Sequence, residues 1–177
     1  SGHAEGTAVL CDSSGSLLFY SNGEKIWNRD HVIMQNGDSI YGSFSSTQST
    51  LIIPYPGQER LFYLFTQDDF NHNLLYGLRY SVVDMCLDNE LGGVIFSQKN
   101  ILLLDTAGEK LAAVRHANGV DYWVIVHKYY SDAFYSYQVS ASGISLPVIT
   151  HIGSMHTSTT PLPSAAIGYM RASPDGN

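Results

Sequence analysis

The chain has 177 residues, with 9 Lys and Arg against 16 Asp and Glu and a formal charge of −7. So few basic residues on an acidic chain exclude a protein that grips phosphate backbones. No apolar run approaches the length of a membrane-spanning helix, and 44% hydrophobic residues exclude global disorder.

Helical periodicity is almost absent, and short β-rich runs recur between turn residues. The first group is Thr7–Cys11, a turn at Asp12–Gly15, Leu17–Ser21, a turn at Asn22-Gly23, and Lys25–Asn28. The second is Thr50–Ile53, a turn at Pro54–Gly57, Leu61–Thr66, a polar loop, Leu78–Met85 and Ile101–Leu104. The third is Leu111–Arg115, a turn at Ala117–Gly119, Tyr122–His127, Ala133–Val139 and Val148–Ile152. A last strand is predicted over Ile167–Ala172, followed by the turn Ser173-Pro174-Asp175-Gly176.

The groups align on Gly15, Gly57, Gly119 and Gly176, at spacings of 42, 62 and 57 residues. Each glycine follows an apolar strand, and each of the first three precedes an aromatic-rich one, such as Leu61–Phe65 or Tyr122–Val126. Repeats of about 40–50 residues with four strands each mark β-propeller blades. An all-β, partial β-propeller is therefore expected, with about three four-stranded antiparallel blades plus the first strand of a fourth. A β-sandwich is the alternative, but it gives no reason for one strand–turn–aromatic-strand unit to recur. The boundaries are blade 1 at about 5–45, blade 2 at about 46–108, blade 3 at about 109–163 and the start of blade 4 at 164–177. The aromatic strands are expected to be core, because each blade buries both faces on its neighbours. Three blades do not close a ring, so further blades or self-association are expected to complete it.

Cys11 and Cys86 are the only cysteines, and both are expected as buried thiols in strands, with a disulfide between them as the alternative. The low-charge, Tyr/Ser/Gly/Asn-rich composition points to export.

The phrases Glu5-Gly6, Asp12–Gly23, Ile26–Asp30, Met34–Gly37, Ser45–Ser49, Gly77–Met85 and Gly168–Gly176 together resemble one family. It is the N-terminal β-propeller region of large secreted surface proteins of gliding bacteria, which carry PKD-type domains and a C-terminal secretion sorting domain. The resemblance spans nearly the whole chain and is thinnest at 86–100 and 153–165. It implies secretion, surface attachment and a binding or adhesive role, and it carries no catalytic residues with it.

Motifs for nucleophiles, phosphate loops and local zinc sites are missing. One calcium-like run exists. Asp69, Asn71 and Asn73 stand at positions 1, 3 and 5 of a loop, but Leu74 and Tyr80 replace the glycine and glutamate such a loop requires. No cofactor is expected, and calcium is the one candidate ion.

Blade topology sends the loops after second strands and between blades to one face. That face collects the segments Asp30–Gln48, Gln67–Gly77, Asp105–Lys110, Tyr129–Asp132 and Gly153–Ser164, and long loops on a rigid scaffold carry function. Candidate ligand contacts there are Glu5, Gln67, Asp68, His127, Lys128, Tyr129 and Tyr130. His127 is singled out at a strand end, where its equivalents in the other groups are Ser21 and Thr66, and Tyr129-Tyr130 for stacking on sugar rings. The expected function is a non-catalytic binding module of a secreted or cell-surface protein, taking a polysaccharide or protein ligand. The alternatives are a carbohydrate-active lyase or glycosidase, using Asp68, Asp69, His127 and Glu5, or a structural spacer.

Overall fold

The computed structural model describes residues 5–157 and 165–173. These residues form three antiparallel sheets in chain order. The first holds β1 (Ala8–Cys11), β2 (Leu17–Ser21) and β3 (Ile26–Asn28). The second holds β4 (Thr50–Tyr55), β5 (Gln58–Gln67), β6 (Leu78–Asp84), β7 (Gly93–Val94) and β8 (Ile101–Leu104). The third holds β9 (Ala107–Arg115), β10 (Tyr122–Lys128), β11 (Ser131–Ser140), β12 (Gly143–Ile144) and β13 (Val148–His156).

In the second sheet the fourth position is shared by two pieces, since β7 and β8 both pair with β6. In the third, β12 and β13 likewise share the edge of β11. The first sheet lacks a fourth strand, but the chain lies beside β3 there. Asn28 N donates to Val32 O (3.0 Å), Met34 N to Ile26 O (2.9 Å) and Ile26 N to Gly37 O (2.8 Å). The hairpin glycines Gly15, Gly57 and Gly119 have φ of 86°, 79° and 74°, the left-handed values a tight turn demands of its least hindered residue.

The three sheets stack face on face, and β5 shows why. Its successive side chains point to opposite faces, and both faces are apolar. Phe62 and Leu64 join Phe19, Ile26, Met34 and Ile40 of the first repeat in one core cluster. Tyr63 and Phe65 join Leu111, Val124, Val126, Tyr137 and Val139 of the third sheet in another. Each fully buried side chain of this size contributes about 1.5–3 kcal/mol relative to exposure, so the central sheet anchors both neighbours. The first strands also adjoin: β1 lies against β4, and β4 against β9. Among the described residues no helix is long and apolar enough to cross a membrane.

Several expectations are corrected. Cys11 and Cys86 are free and exposed. Cys11 sits on an edge strand whose alternation turns it outward with Val9, and Cys86 follows β6 in a turn where its N–H donates to Asp84 Oδ1 (2.8 Å). Asp105–Lys110 and Tyr129–Asp132 are not long loops. Strands β9 and β11 begin at Ala107 and Ser131, leaving tight connections with positive φ at Thr106 and Tyr130. Residues 153–156 belong to β13 rather than to a loop.

Ile167–Ala172 is not a strand. Its neighbourhood is tied to the third sheet mainly by side chains. Gln48 Oε1 accepts from Met170 N (2.7 Å) and Leu111 N (3.0 Å), while Gln48 Nε2 donates to Met170 O (3.1 Å). Lys110 Nζ donates to Ala165 O (2.7 Å), and Glu109 N to Ala166 O (2.9 Å). Residues 158–164 and 174–177, which include parts of the predicted last loop and last turn, lie outside the described residues.

Candidate functional site

The loops after β2 and β5 and the connection from β3 to β4 meet at one end of the stack. Gly42 marks the meeting point, since a Cβ there would sit 2.7 Å from Gly23 O and 2.9 Å from Thr66 Cβ. Ser43 N donates to Gln67 O (3.0 Å). At the opposite end the β4–β5 and β11–β12 turns are neighbours, through Gly57 and Ala141.

A single buried carboxylate binds the two long segments to the third sheet. Glu109, in β9, is 2% exposed. Its Oε2 accepts from Thr47 N and Thr47 Oγ1 (both 2.8 Å), and its Oε1 accepts from Phe70 N (3.0 Å). Below the second loop, Leu74, Tyr129 and Ala166 form a small buried cluster with Phe70 and Ala165 against it.

The 68–77 loop is closed from within by its own carboxylates. Asp68 is buried and accepts from Asp69 N (2.9 Å) through Oδ1 and from Tyr76 N (2.9 Å) through Oδ2. Asp69 caps a short 3-10 turn, Phe70–His72, by accepting from His72 N (2.9 Å). Asn73 ends that turn in the left-handed region. His72 Nδ1 lies 3.3 Å from Asp68 Oδ1. Of the predicted calcium set, Asn71 turns its amide nitrogen to Asp69 Oδ2 at 3.4 Å. Among the described residues, the titratable groups brought close enough to share an ion are Asp68, Asp69 and His72.

The sequence-predicted contacts separate into two sets. Gln67, Asp68, His127 and Tyr129 are buried. Gln67 Nε2 donates to Gly108 O (2.8 Å). His127 is 1% exposed and stacks on His156 at 3.7 Å between ring centroids, with Phe134 edge-on at 4.6 Å. Among the described residues neither of its ring nitrogens has a partner in hydrogen-bond geometry. Burial, then His156 and Lys110, push its pKa down to about 4, against weaker support from the Lys128 backbone and Asp132.

The second set is at the surface. Lys128 Nζ donates to Asp105 Oδ1 (2.9 Å) and stands 5.9 Å over the Tyr135 ring. Tyr130 is 63% exposed. Glu5 is exposed and lines an open groove of about 460 Å³ between β1 and β4, with Thr47, Gln48 and Tyr169. The equivalents of His127 in the other repeats bond within the chain. Ser21 Oγ donates to Lys25 O (2.8 Å), and Thr66 Oγ1 to Tyr41 O (3.2 Å).

Sequence reasoning missed the aromatic cleft at this end. Tyr41 and Tyr76 stack with ring centroids 4.7 Å apart and planes 11° apart. They line a cleft of about 400 Å³ with Glu24, Lys25, Ser39 and His72. Arg79 stands 5.3 Å over the Tyr41 ring, donates from Nε to Tyr76 O (2.8 Å) and from a guanidinium nitrogen to Asn100 O (2.9 Å). Asn100 in turn accepts from Tyr41 N (2.9 Å) and donates to Ser39 O (2.9 Å). The two tyrosines stand 35 positions apart with no shared period, so no local pattern announces the pair. Glu109 was legible only as a loop carboxylate within Asp105–Lys110, a segment that joins a strand from Ala107 onward. Comparison with protein-family models, with curated proteins and with solved structures finds no match for the chain.

Proposed function

We propose that the chain is a non-catalytic ligand-binding module of β-propeller type from a secreted or cell-surface protein. Its ring is completed by further blades or by a second copy, and its ligand, a polysaccharide or a protein, docks on the long-loop end. The resemblance to propeller regions of secreted surface proteins of gliding bacteria supports the setting. Three antiparallel sheets stacked in chain order, with adjoining first strands, support the architecture.

One observation carries the binding role. Glu109 fastens both long segments, through Thr47 and Phe70, to a core strand. Loops held this way present a fixed surface and lose little conformational freedom on binding. The carboxylates of the 68–77 loop spend their oxygens on backbone N–H groups, which favours a structural over a catalytic use of them. No metal or cofactor is needed for this reading.

The test is a glycan array combined with a turnover assay on the bound glycans and a pull-down of surface proteins. Binding without turnover is the expected result. Turnover would make the chain a carbohydrate-active enzyme instead. Neither binding nor turnover would leave it a spacer.

A further inference from the structure

We propose that the Tyr41–Tyr76 cleft is a subsite for a neutral pyranose unit of a polysaccharide. This rests on the loop-end reading above and narrows it to one site and one ligand class.

Three features converge on that ligand. First, the cleft offers aromatic surface at its floor. Tyr41 keeps 41% of its residue surface exposed, with Tyr76 stacked on its ring and the Arg79 guanidinium 5.3 Å over it, so the sugar packs on the part of the Tyr41–Tyr76 pair that faces the cleft. The apolar C–H face of a sugar ring packs on an aromatic face, and its hydroxyls reach outward to polar groups. A volume of about 400 Å³ is at the lower end of the roughly 300–1,000 Å³ of small-ligand sites, enough for one or two sugar units.

Second, the rim mixes hydrogen-bonding types. Glu24 accepts, Lys25 donates, and Ser39 and His72 do either. Hydroxyl groups donate and accept, so they satisfy such a rim without bringing charge. An acidic sugar would find Lys25 matched by Glu24, leaving the rim no net cation to hold it, and a polyanion is disfavoured by the field of a chain of net charge −7.

Third, the floor is built before any ligand arrives. Tyr41 is held at both backbone groups, its N–H by Asn100 and its carbonyl by Thr66. Tyr76 is held at its N–H by Asp68 and at its carbonyl by Arg79. Asn100, which holds Tyr41, and Ser39, which accepts from Asn100, both sit in the left-handed region at φ of 58° and 49°. Asparagine takes that region readily, whereas a serine is held there by its surroundings.

The experiment is affinity electrophoresis of the full chain through gels containing a neutral β-glucan, a mannan or a galactan, with polygalacturonate and alginate as acidic counterparts. At least one neutral polymer retards the chain, and the acidic ones do not. Tyr41→Ala and Tyr76→Ala each weaken that retardation about tenfold, the loss expected of a removed stacking partner. Phe96→Ala, at an exposed position on the second sheet's outer edge, leaves it unchanged. Melting curves confirm that the variants fold. Should either tyrosine variant unfold, Glu24→Gln combined with Lys25→Ala tests the rim with the floor intact and weakens retardation in the same direction.

The proposal falls if no neutral polymer binds, if the acidic ones bind as well, or if folded cleft variants bind like the parent. In the last case, loss of binding on Lys128→Ala or Tyr130→Ala would overturn the cleft but keep the loop-end reading. Binding that no substitution at that end disturbs would overturn both.

Discussion

Single residues carry more of this structure than their positions in the sequence suggest. Glu109 is the clearest case, a buried carboxylate that accepts three hydrogen bonds from two segments. Glu109→Gln keeps the shape but turns one acceptor into a donor facing other donors. Hydrogen bonds to a charged group contribute about 1.5–3 kcal/mol, so a loss of about 2 kcal/mol is expected, read as a melting temperature lower by about 4–8 °C. An unchanged melting temperature would mean that the two segments are held by something other than Glu109.

His127 shows the limit of reading one residue from sequence. Its place at a strand end and its polar equivalents Ser21 and Thr66 were legible. Its burial was not, because that depends on His156 and Phe134, which arrive from other strands. Its folded pKa of about 4 lies below the ordinary histidine value of 6.5. The unfolded chain therefore binds the proton more readily, so the contribution of neutral His127 is fully present above pH 6.5 and is lost as pH falls toward 4. His156 is displaced in the same direction, by burial and then by Lys110. The difference in unfolding free energy between the parent and His127→Phe isolates this effect. Relative to the parent, the variant gains stability as pH drops through that window. A difference that stays flat with pH would show that His127 is not kept neutral by its surroundings.

At the scale of elements, strands were read well and connections poorly. Leu17–Ser21 and Ile101–Leu104 match β2 and β8 end to end, because apolar runs bounded by turn residues state their own limits. The pieces Gly93–Val94 and Gly143–Ile144 were missed. Two residues carry no period, and their pairing is dictated by the neighbouring strand's free edge. The 68–77 loop had the right residues for a different purpose. Its carboxylates close the loop on itself, with Asp68 holding Asp69 and Tyr76 and Asp69 holding His72. Asp68→Ala leaves two backbone N–H groups without their acceptor, and amide exchange at Tyr76 and Asp69 should accelerate well beyond that of the β5 and β6 amides. Millimolar calcium should leave the melting temperature of the parent where it is, since ligand binding to the folded state alone would raise it. An upward shift that Asp68→Ala abolishes would instead make Asp68, Asp69 and His72 an ion site.

For the whole molecule, the β-rich runs in the sequence foretold an all-β chain of antiparallel sheets but not how the two ends of the stack are finished. The second sheet is covered on both faces. The first and third each have only one sheet neighbour among the described residues. The third ends in β13, where Val148, Ile152 and Met155 are 55%, 62% and 62% exposed, and Leu146 just before it is 90% exposed. Val9 is 62% exposed on the first sheet. An edge strand with unpaired backbone groups and an apolar surface is a template for association. The 177-residue chain by itself should therefore sediment above its 19.5 kDa mass in a concentration-dependent way. Ile152→Lys with Met155→Lys should shift it toward the monomer without unfolding it, because both side chains are at the surface and a charged edge resists pairing. A chain that stays monomeric at all concentrations would show that three stacked sheets suffice on their own, and the need for further blades or a second copy would disappear with it.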